Sequence, residues 1–260
     1  MSRLRRSLLT VLPKILVSRT TGLLAHCPLP HGLRAPAYRA FARRYGADLT
    51  ELADELTSFR SLAEFFQRPL RAGARPLADA PLLCACDGRI VTSGPLEGDR
   101  IPQVKGVDYG LAEFLGSDPL ARALHGGSQQ TIYLAPGDYH RVHSPFAATI
   151  TSIRAIRGTL FPVNPAAVRA IGGLFVRNAR VVFEAQLDDG RLGAVVMVGA
   201  LNVGHVHRSC AAGARVQPGD ELGRFGFGST VVGIVAPGGA AFGIRDPERR
   251  VRMGSAATGD

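Results

Sequence analysis

The chain has 260 residues, 46% of them hydrophobic and 20% charged, a globular balance that excludes wholesale disorder and fits one large domain or a domain with a smaller appendage. Thirty-one glycines and seventeen prolines, with no tryptophan, point to many turns and short strands. The net charge is +10, and no apolar run reaches the roughly 18 residues that a membrane-spanning helix needs.

The positive charge sits at the N-terminus. No acidic residue precedes Asp48, whereas Arg3, Arg5, Arg6, Lys14, Arg19, Arg34, Arg39, Arg43 and Arg44 are all basic. A basic, apolar-rich segment points to an anionic surface, either membrane lipid or nucleic acid. Leu8–Val17 has some character of a secretory signal, but Pro13 and Lys14 interrupt it and no Ala-x-Ala site follows, so cleavage of a signal is not expected. Residues 1–75 read as short helices. Leu8, Val11, Leu12, Ile15 and Leu16 fall at helical spacing around Pro13, and Tyr38, Phe41, Ala42 and Tyr45 repeat the pattern up to a stop at Gly46. Their basic flanks predict helices lying on a membrane surface. Ser61-Leu-Ala-Glu64 forms a capping box for a helix carrying Phe65 and Phe66, whose apolar face is expected to pack on the main domain.

The texture changes at Arg75-Pro76. Thr131–Leu134, Ala148–Ile153, Val181–Leu187, Gly193–Val198 and Thr230–Val235 are short β-branched runs separated by Gly, Pro and Asp turns, which predicts a β-rich domain over residues 76–260. The Gly/Ser/Ala-rich tail after Met253 is expected to be loose. Four cysteines show no zinc-finger spacing; Cys84 and Cys86 share one face of an extended segment and read as buried thiols.

Three segments carry groups capable of chemistry. Cys86-Asp87-Gly88-Arg89-Ile90 puts an acid at a glycine turn, which by itself reads as an ordinary Asx turn. Asp138-Tyr139-His140-Arg141-Val142-His143-Ser144-Pro145 gathers titratable groups, and a histidine with its ordinary pKa of about 6.5 can exchange protons near neutrality. Between Pro136 and Pro145 an extended segment is expected, with the rings of His140 and His143 pointing apart into separate roles. Phe225-Gly226-Phe227-Gly228-Ser229-Thr230-Val231-Val232 sets Ser229 after a Gly-x-Gly turn and before an apolar strand, and Gly228, lacking a Cβ, leaves its carbonyl open to close approach.

Taken together and in order, these segments resemble the phosphatidylserine decarboxylase family. Phe65-Phe66-Gln67-Arg68-Pro69-Leu70-Arg71-Ala72-Gly73-Ala74-Arg75-Pro76, Asp87-Gly88-Arg89-Ile90, Asp138-Tyr139-His140-Arg141-Val142-His143 and Phe227-Gly228-Ser229-Thr230 are similar to stretches of that family. The resemblance implies a proenzyme that cuts itself between Gly228 and Ser229, with Asp87, His143 and Ser229 as its processing triad. Ser229 would become a pyruvoyl cofactor that decarboxylates phosphatidylserine to phosphatidylethanolamine through a Schiff base, with His140 as proton donor and Arg141 as a cationic partner for the substrate. The implied products are a β chain of residues 1–228 and an α chain of residues 229–260. The implied fold is α+β: a barrel- or sandwich-like β-rich catalytic domain over residues 76–260, with a helical, basic, membrane-associating region over residues 1–75. The implied partners are an anionic phospholipid membrane, at the cytoplasmic face of a bacterial cell and held peripherally, and phosphatidylserine. No nucleic acid and no metal are implied, and a homo-oligomer is allowed.

One segment departs from this pattern. Val203-Gly204-His205-Val206-His207 carries two histidines that a strand would present on one face, a spacing suited to zinc. A zinc-dependent peptidase using His205 and His207 is therefore an alternative, although no upstream His-x₃-Asp pair accompanies them; a non-catalytic membrane-binding barrel is another.

Overall fold

The computed structural model describes residues 25–102, 108–163, 172–199, 206–226 and 229–259. The pattern at Leu8–Leu16, His205 and the Gly228 side of the expected cut lie outside these residues. The first part of the chain forms helices α1 (His31–Tyr45) and α2 (Leu62–Phe66). Strands β1 (Gly88–Pro95), β2 (Arg100–Ile101) and β3 (Tyr109–Gly110) follow, then helices α3 (Leu111–Leu115) and α4 (Asp118–Leu124). Next come β4 (Ser128–Leu134), β5 (Arg141–His143), β6 (Ala148–Ile156), helix α5 (Leu174–Arg177), β7 (Arg180–Leu187) and β8 (Leu192–Val198). The chain ends with β9 (Val206–Arg208), β10 (Arg215–Val216), β11 (Glu221–Phe225), β12 (Ser229–Val235) and β13 (Arg250–Val251).

The protein is β-rich. An eight-stranded antiparallel sheet runs β10-β6-β7-β8-β12-β4-β1-β13, beside a three-stranded sheet β5-β11-β9 and the short pair β2-β3. Each of the five apolar runs read from the sequence lies within a strand of the large sheet. The Val231-Val-Gly-Ile-Val235 run belongs to β12, which is buried along its whole length, as a strand covered on both faces must be. Of the described helices, none is long and apolar enough to cross a membrane.

The helical part has a small core of its own. Tyr38 stacks on Phe65 with ring centroids 4.5 Å apart and meets Phe59 edge-on, while Leu29, Phe41 and Leu52 pack around them. Helix α1 ends where the sequence places its stop: Gly46 adopts φ 74°, and its N–H returns to the Ala42 carbonyl. Arg39, Arg43 and Arg44 project from α1 into solvent. The capping box at Ser61 forms with a variation. Ser61 Oγ accepts from Glu64 N–H at 3.2 Å, and the Glu64 carboxylate reaches back to Arg60 N–H at 2.6 Å, one residue before the cap.

The tail corrects the expectation of looseness. Ala257 N–H donates to Leu82 O at 2.8 Å, Cys84 N–H to Ser255 O at 2.8 Å and Ala78 N–H to Gly254 O at 2.8 Å, and Ala257 is fully buried. Small residues there allow the tail to lie flush against the strand-like segment 82–86, so the same composition that reads as flexible serves a close backbone approach. Ala257→Asp is expected to lower stability by at least about 3 kcal/mol, because a carboxylate would be buried without a partner; urea unfolding of variant and parent measures it.

Candidate active site

The register of the large sheet brings the three chemical segments to one end. Arg89 of β1 pairs with Tyr133 of β4, Tyr133 with Thr230 of β12, and Ser229 with Leu134. Asp87, just before β1, therefore lies at the same end as Ser229 and the turn that follows β4. Gly88 makes this possible: its φ is 154°, and a Cβ there would strike the Tyr133 carbonyl oxygen. The turn after β4 is closed by Asp138, whose N–H donates to Ala135 O and whose carboxylate accepts from Ala135 N–H at 2.7 Å. It turns the chain toward Tyr139, His140 and β5.

Asp87 is not a local Asx turn. Arg75 grips both its oxygens, at 2.8 Å and 2.5 Å, and Met253 N–H donates to Oδ1 at 2.9 Å. Arg75 is shared with Glu51 at 2.9 Å. Asp87 as a whole is 7% exposed, a degree of burial a charge tolerates only when paired in this way.

His143 is held by different groups. Its Nδ1 lies 2.7 Å from Gly219 O and its Nε2 3.1 Å from Tyr139 Oη. A carbonyl oxygen can only accept, so Nδ1 carries the proton and Nε2 of the neutral ring is the acceptor. The Gly219 carbonyl is presented by a turn at Gln217-Pro218-Gly219-Asp220. In it Asp220 N–H returns to Gln217 O, proline fixes the second position and glycine takes φ 91° in the third, the pattern of a type II turn. Burial pushes the His143 pKa below its ordinary value; the Gly219 hydrogen bond and the charges of Glu221 and Asp87 oppose that shift without cancelling it.

His140 faces elsewhere, as the extended segment predicts. Its Nδ1 is 2.8 Å from Asp138 O, which assigns the proton to Nδ1, and its ring lies against Phe66 of α2 with centroids 3.9 Å apart. Its Nε2 is buried and has no hydrogen-bond partner among the described residues. Burial lowers its pKa to about 3, so the ring is neutral and Nε2 bare. Ser229 Oγ and Thr230 Oγ1, both on fully buried residues, are likewise without partners. Ser229 and Thr230 open β12 and His140 stands just before β5, so three of the open buried polar atoms fall in the segments that the sequence marks for chemistry.

Arg141 is engaged, with Nη1 on Glu221 at 2.8 Å and Nε on Gln67 O at 3.1 Å. The sequence reading assigned no role to Arg68, Arg75, Tyr139, Gly219 or Met253. Arg68 and Arg75 lie in the family-like segment that begins at Phe65, the only signal that marked them. Arg68 is 2% exposed and donates to Gly137 O at 2.7 Å, while its Nε and Nη1 have no partner among the described residues. Beside Asp87, a cavity of about 300 Å³ is lined by Arg68, Arg75, Asp138, Tyr139 and Arg250 among others. His207 is exposed on β9, and no set of three groups suited to a metal ion occurs among the described residues.

The neutral state of His140 has a measurable consequence. Its folded pKa of about 3 lies below the unfolded value of about 6.5, so between those pH values the unfolded chain binds a proton that the folded chain does not. Stability contributed by the neutral ring is fully present above about pH 6.5 and lost as pH falls toward 3, on the order of 5 kcal/mol in all. Urea unfolding from pH 4 to 7 is expected to show this slope, and His140→Leu to flatten it.

A profile of the phosphatidylserine decarboxylase family matches residues 62–258. A phosphatidylserine decarboxylase proenzyme of Anaeromyxobacter sp. is 43% identical, covering 97% of this chain and 96% of its own. Proenzymes of the same description from Dechloromonas aromatica and Pseudomonas aeruginosa are 37% and 39% identical over 95% and 94% of this chain. None of these matches favours a zinc peptidase or a non-catalytic barrel. With the family profile spanning most of the chain and relatives this similar along nearly its whole length, the chain belongs to the phosphatidylserine decarboxylase family.

Proposed function

We propose that the chain is a phosphatidylserine decarboxylase proenzyme that cuts its own Gly228–Ser229 bond and turns Ser229 into a pyruvoyl cofactor. The observation that carries this reading is the Ser229 hydroxyl, fully buried and without a partner among the described residues at the head of the most enclosed strand, in a family whose relatives are described as proenzymes.

In the cut, His143 Nε2 takes the proton of Ser229 Oγ as that oxygen attacks the Gly228 carbonyl carbon. The C–N bond breaks, the amine of Ser229 takes up the proton, and Gly228 is left in ester linkage to Oγ. Removal of the Ser229 Cα proton then expels the Gly228 carboxylate. Water adds to the resulting dehydroalanine and ammonia leaves, which produces the pyruvoyl group at residue 229. Asp87 acts on His143 through its charge, its oxygens being held by Arg75 and Met253 N–H.

The open polar atoms suit such a group. Thr230 Oγ1 can donate to a carbonyl oxygen, and the bare His140 Nε2 can receive a proton from an incoming ammonium. When bound to the substrate amine, the pyruvoyl group supplies an electron sink for the pair released with CO₂. His140 takes the proton that the substrate's ammonium must lose and returns it to the carbon that lost CO₂. Arg141 reaches the substrate's phosphate or carboxylate by releasing Glu221. Residues 1–75 form the membrane-associating part and residues 76–260 the catalytic part. The exposed Arg39, Arg43 and Arg44 of α1 favour peripheral docking on an anionic membrane, at the cytoplasmic face.

Mass spectrometry of the purified protein is expected to find residues 1–228 and a second fragment, 229–260, with a blocked N-terminus. Ser229→Ala and His143→Ala are each expected to remain one chain. A single uncut chain in wild type and Ser229→Ala alike would end this reading. His140→Ala is expected to cut itself but to decarboxylate phosphatidylserine at least about a hundredfold more slowly, measured as release of CO₂; normal decarboxylation would remove His140 from the mechanism. Replacing Arg39, Arg43 and Arg44 together by Glu is expected to weaken sedimentation with phosphatidylglycerol vesicles and to leave the weaker binding to phosphatidylcholine vesicles unchanged.

A further inference from the structure

The imidazole of His143 has a partner on each nitrogen, and neither is Asp87. Gly219 O accepts from Nδ1 whether the ring is neutral or charged. Nε2 is the atom that must gain and lose a proton, and the group on it is the Tyr139 hydroxyl at 3.1 Å. We propose that Tyr139 is the positioning residue for His143, its hydroxyl holding the proton-accepting nitrogen in a hydrogen bond both before and after proton uptake. This rests on the reading of His143 as the base in self-cleavage.

A hydroxyl is suited to this task because it both donates and accepts. Toward the neutral ring, Tyr139 O–H donates to the lone pair on Nε2. As the proton of Ser229 Oγ passes to Nε2, the tyrosine O–H rotates away and its oxygen accepts from the new Nε2–H. Ser229 loses one proton, His143 gains it, and Tyr139 keeps its own throughout. A carboxylate on Nε2 could only accept, which would leave the neutral ring with two acceptors facing one N–H.

The surroundings hold Tyr139 in place and keep it protonated. The residue is 7% exposed, and its ring lies nearly parallel to that of His143, with centroids 5.6 Å apart and planes 28° apart. The Arg75 guanidinium, already fastened to Asp87, sits over the tyrosine ring at 5.9 Å. Burial pushes the tyrosine pKa up to about 12 against the opposing charge of Arg141, so the hydroxyl keeps its hydrogen at any pH at which the enzyme works. The charges around His143 come from several elements: Arg141 on its own strand, Glu221 opposite it on β11, and Asp87 ahead of β1. Tyr139 is uncharged among them. Its contribution is therefore a directional hydrogen bond, and it counts most toward the imidazolium, whose hydrogen bonds are the stronger ones.

Removal of the hydroxyl should thus destabilise the charged ring more than the neutral one. Tyr139→Phe keeps the stacked ring and deletes only the oxygen. In uncut Ser229→Ala protein with ¹⁵N-labelled histidine, NMR titration of the parent is expected to show His143 as the Nδ1–H tautomer. Adding Tyr139→Phe should move its titration midpoint down by about half to one pH unit. With Ser229 present, Tyr139→Phe should slow self-cleavage on the order of tenfold and shift the midpoint of its pH–rate profile in the same direction. An Nε2–H tautomer in the parent overturns the proposal, and needs no variant to be seen. An unchanged NMR midpoint in Tyr139→Phe overturns it too. If wild type stays uncut while the NMR midpoint still falls, Tyr139 stands as the partner of His143 and the self-cleavage reading alone fails.

Discussion

The site is organised around a strand that is enclosed along its whole length. β12 is paired along its length with β4 on one side and β8 on the other, and each of its residues is buried. Ser229 is its first residue, so the proposed nucleophile sits on a strand anchored to both of its neighbours. Other groups must come to it. The turn after β4 brings the two histidines, the close approach at Gly88 brings Asp87, and the turn at Gln217–Asp220 brings the carbonyl that orients His143.

The electrostatics follow from the same enclosure. In so dry a place an isolated charge is costly, and each ionisable group meets that cost differently. Asp87 stays paired through Arg75, which in turn holds Glu51. His140 gives up its charge and stands as a bare base. Tyr139 keeps its proton and offers a hydroxyl. Each of these solutions is held by the N-terminal part of the chain. Phe66 covers His140, Gln67 O holds Arg141, Arg68 ties the turn after β4 and Arg75 grips Asp87. Residues 66–75, ahead of the β-rich part, therefore form part of the wall of the site.

What could be read from the sequence was whatever is local. β-Branched runs announced the strands, Gly46 the end of α1, and Ser61 with Glu64 a helix start, because periodicity and capping act over a few residues. The motif resemblances pointed to Asp87, His140, His143 and Ser229, and the structure brings their segments to one end of the sheet. The hydrogen-bond partners were out of reach. Gly219 O is 76 positions from His143, and Met253 N–H is 166 from Asp87, distances over which no local pattern reports. The tail misled for a related reason: Gly, Ser and Ala suit a mobile end and a tightly laid one equally well, and only the backbone of Leu82–Cys84, to which the tail bonds, decides between them.

That tail, together with β12, has a consequence for how the protein can be made. The segment after residue 228 supplies one of the innermost strands, the edge strand β13 beside β1, and the backbone N–H that reaches Asp87. While the chain is continuous, this segment finds its place by an intramolecular search at high effective concentration. If the chain is cut as proposed, the same search becomes an encounter between two molecules, and its rate depends on how dilute they are. On that reading folding comes before cutting, and the denatured two-chain form would have to rebuild its centre by a second-order reaction that the uncut chain never faces.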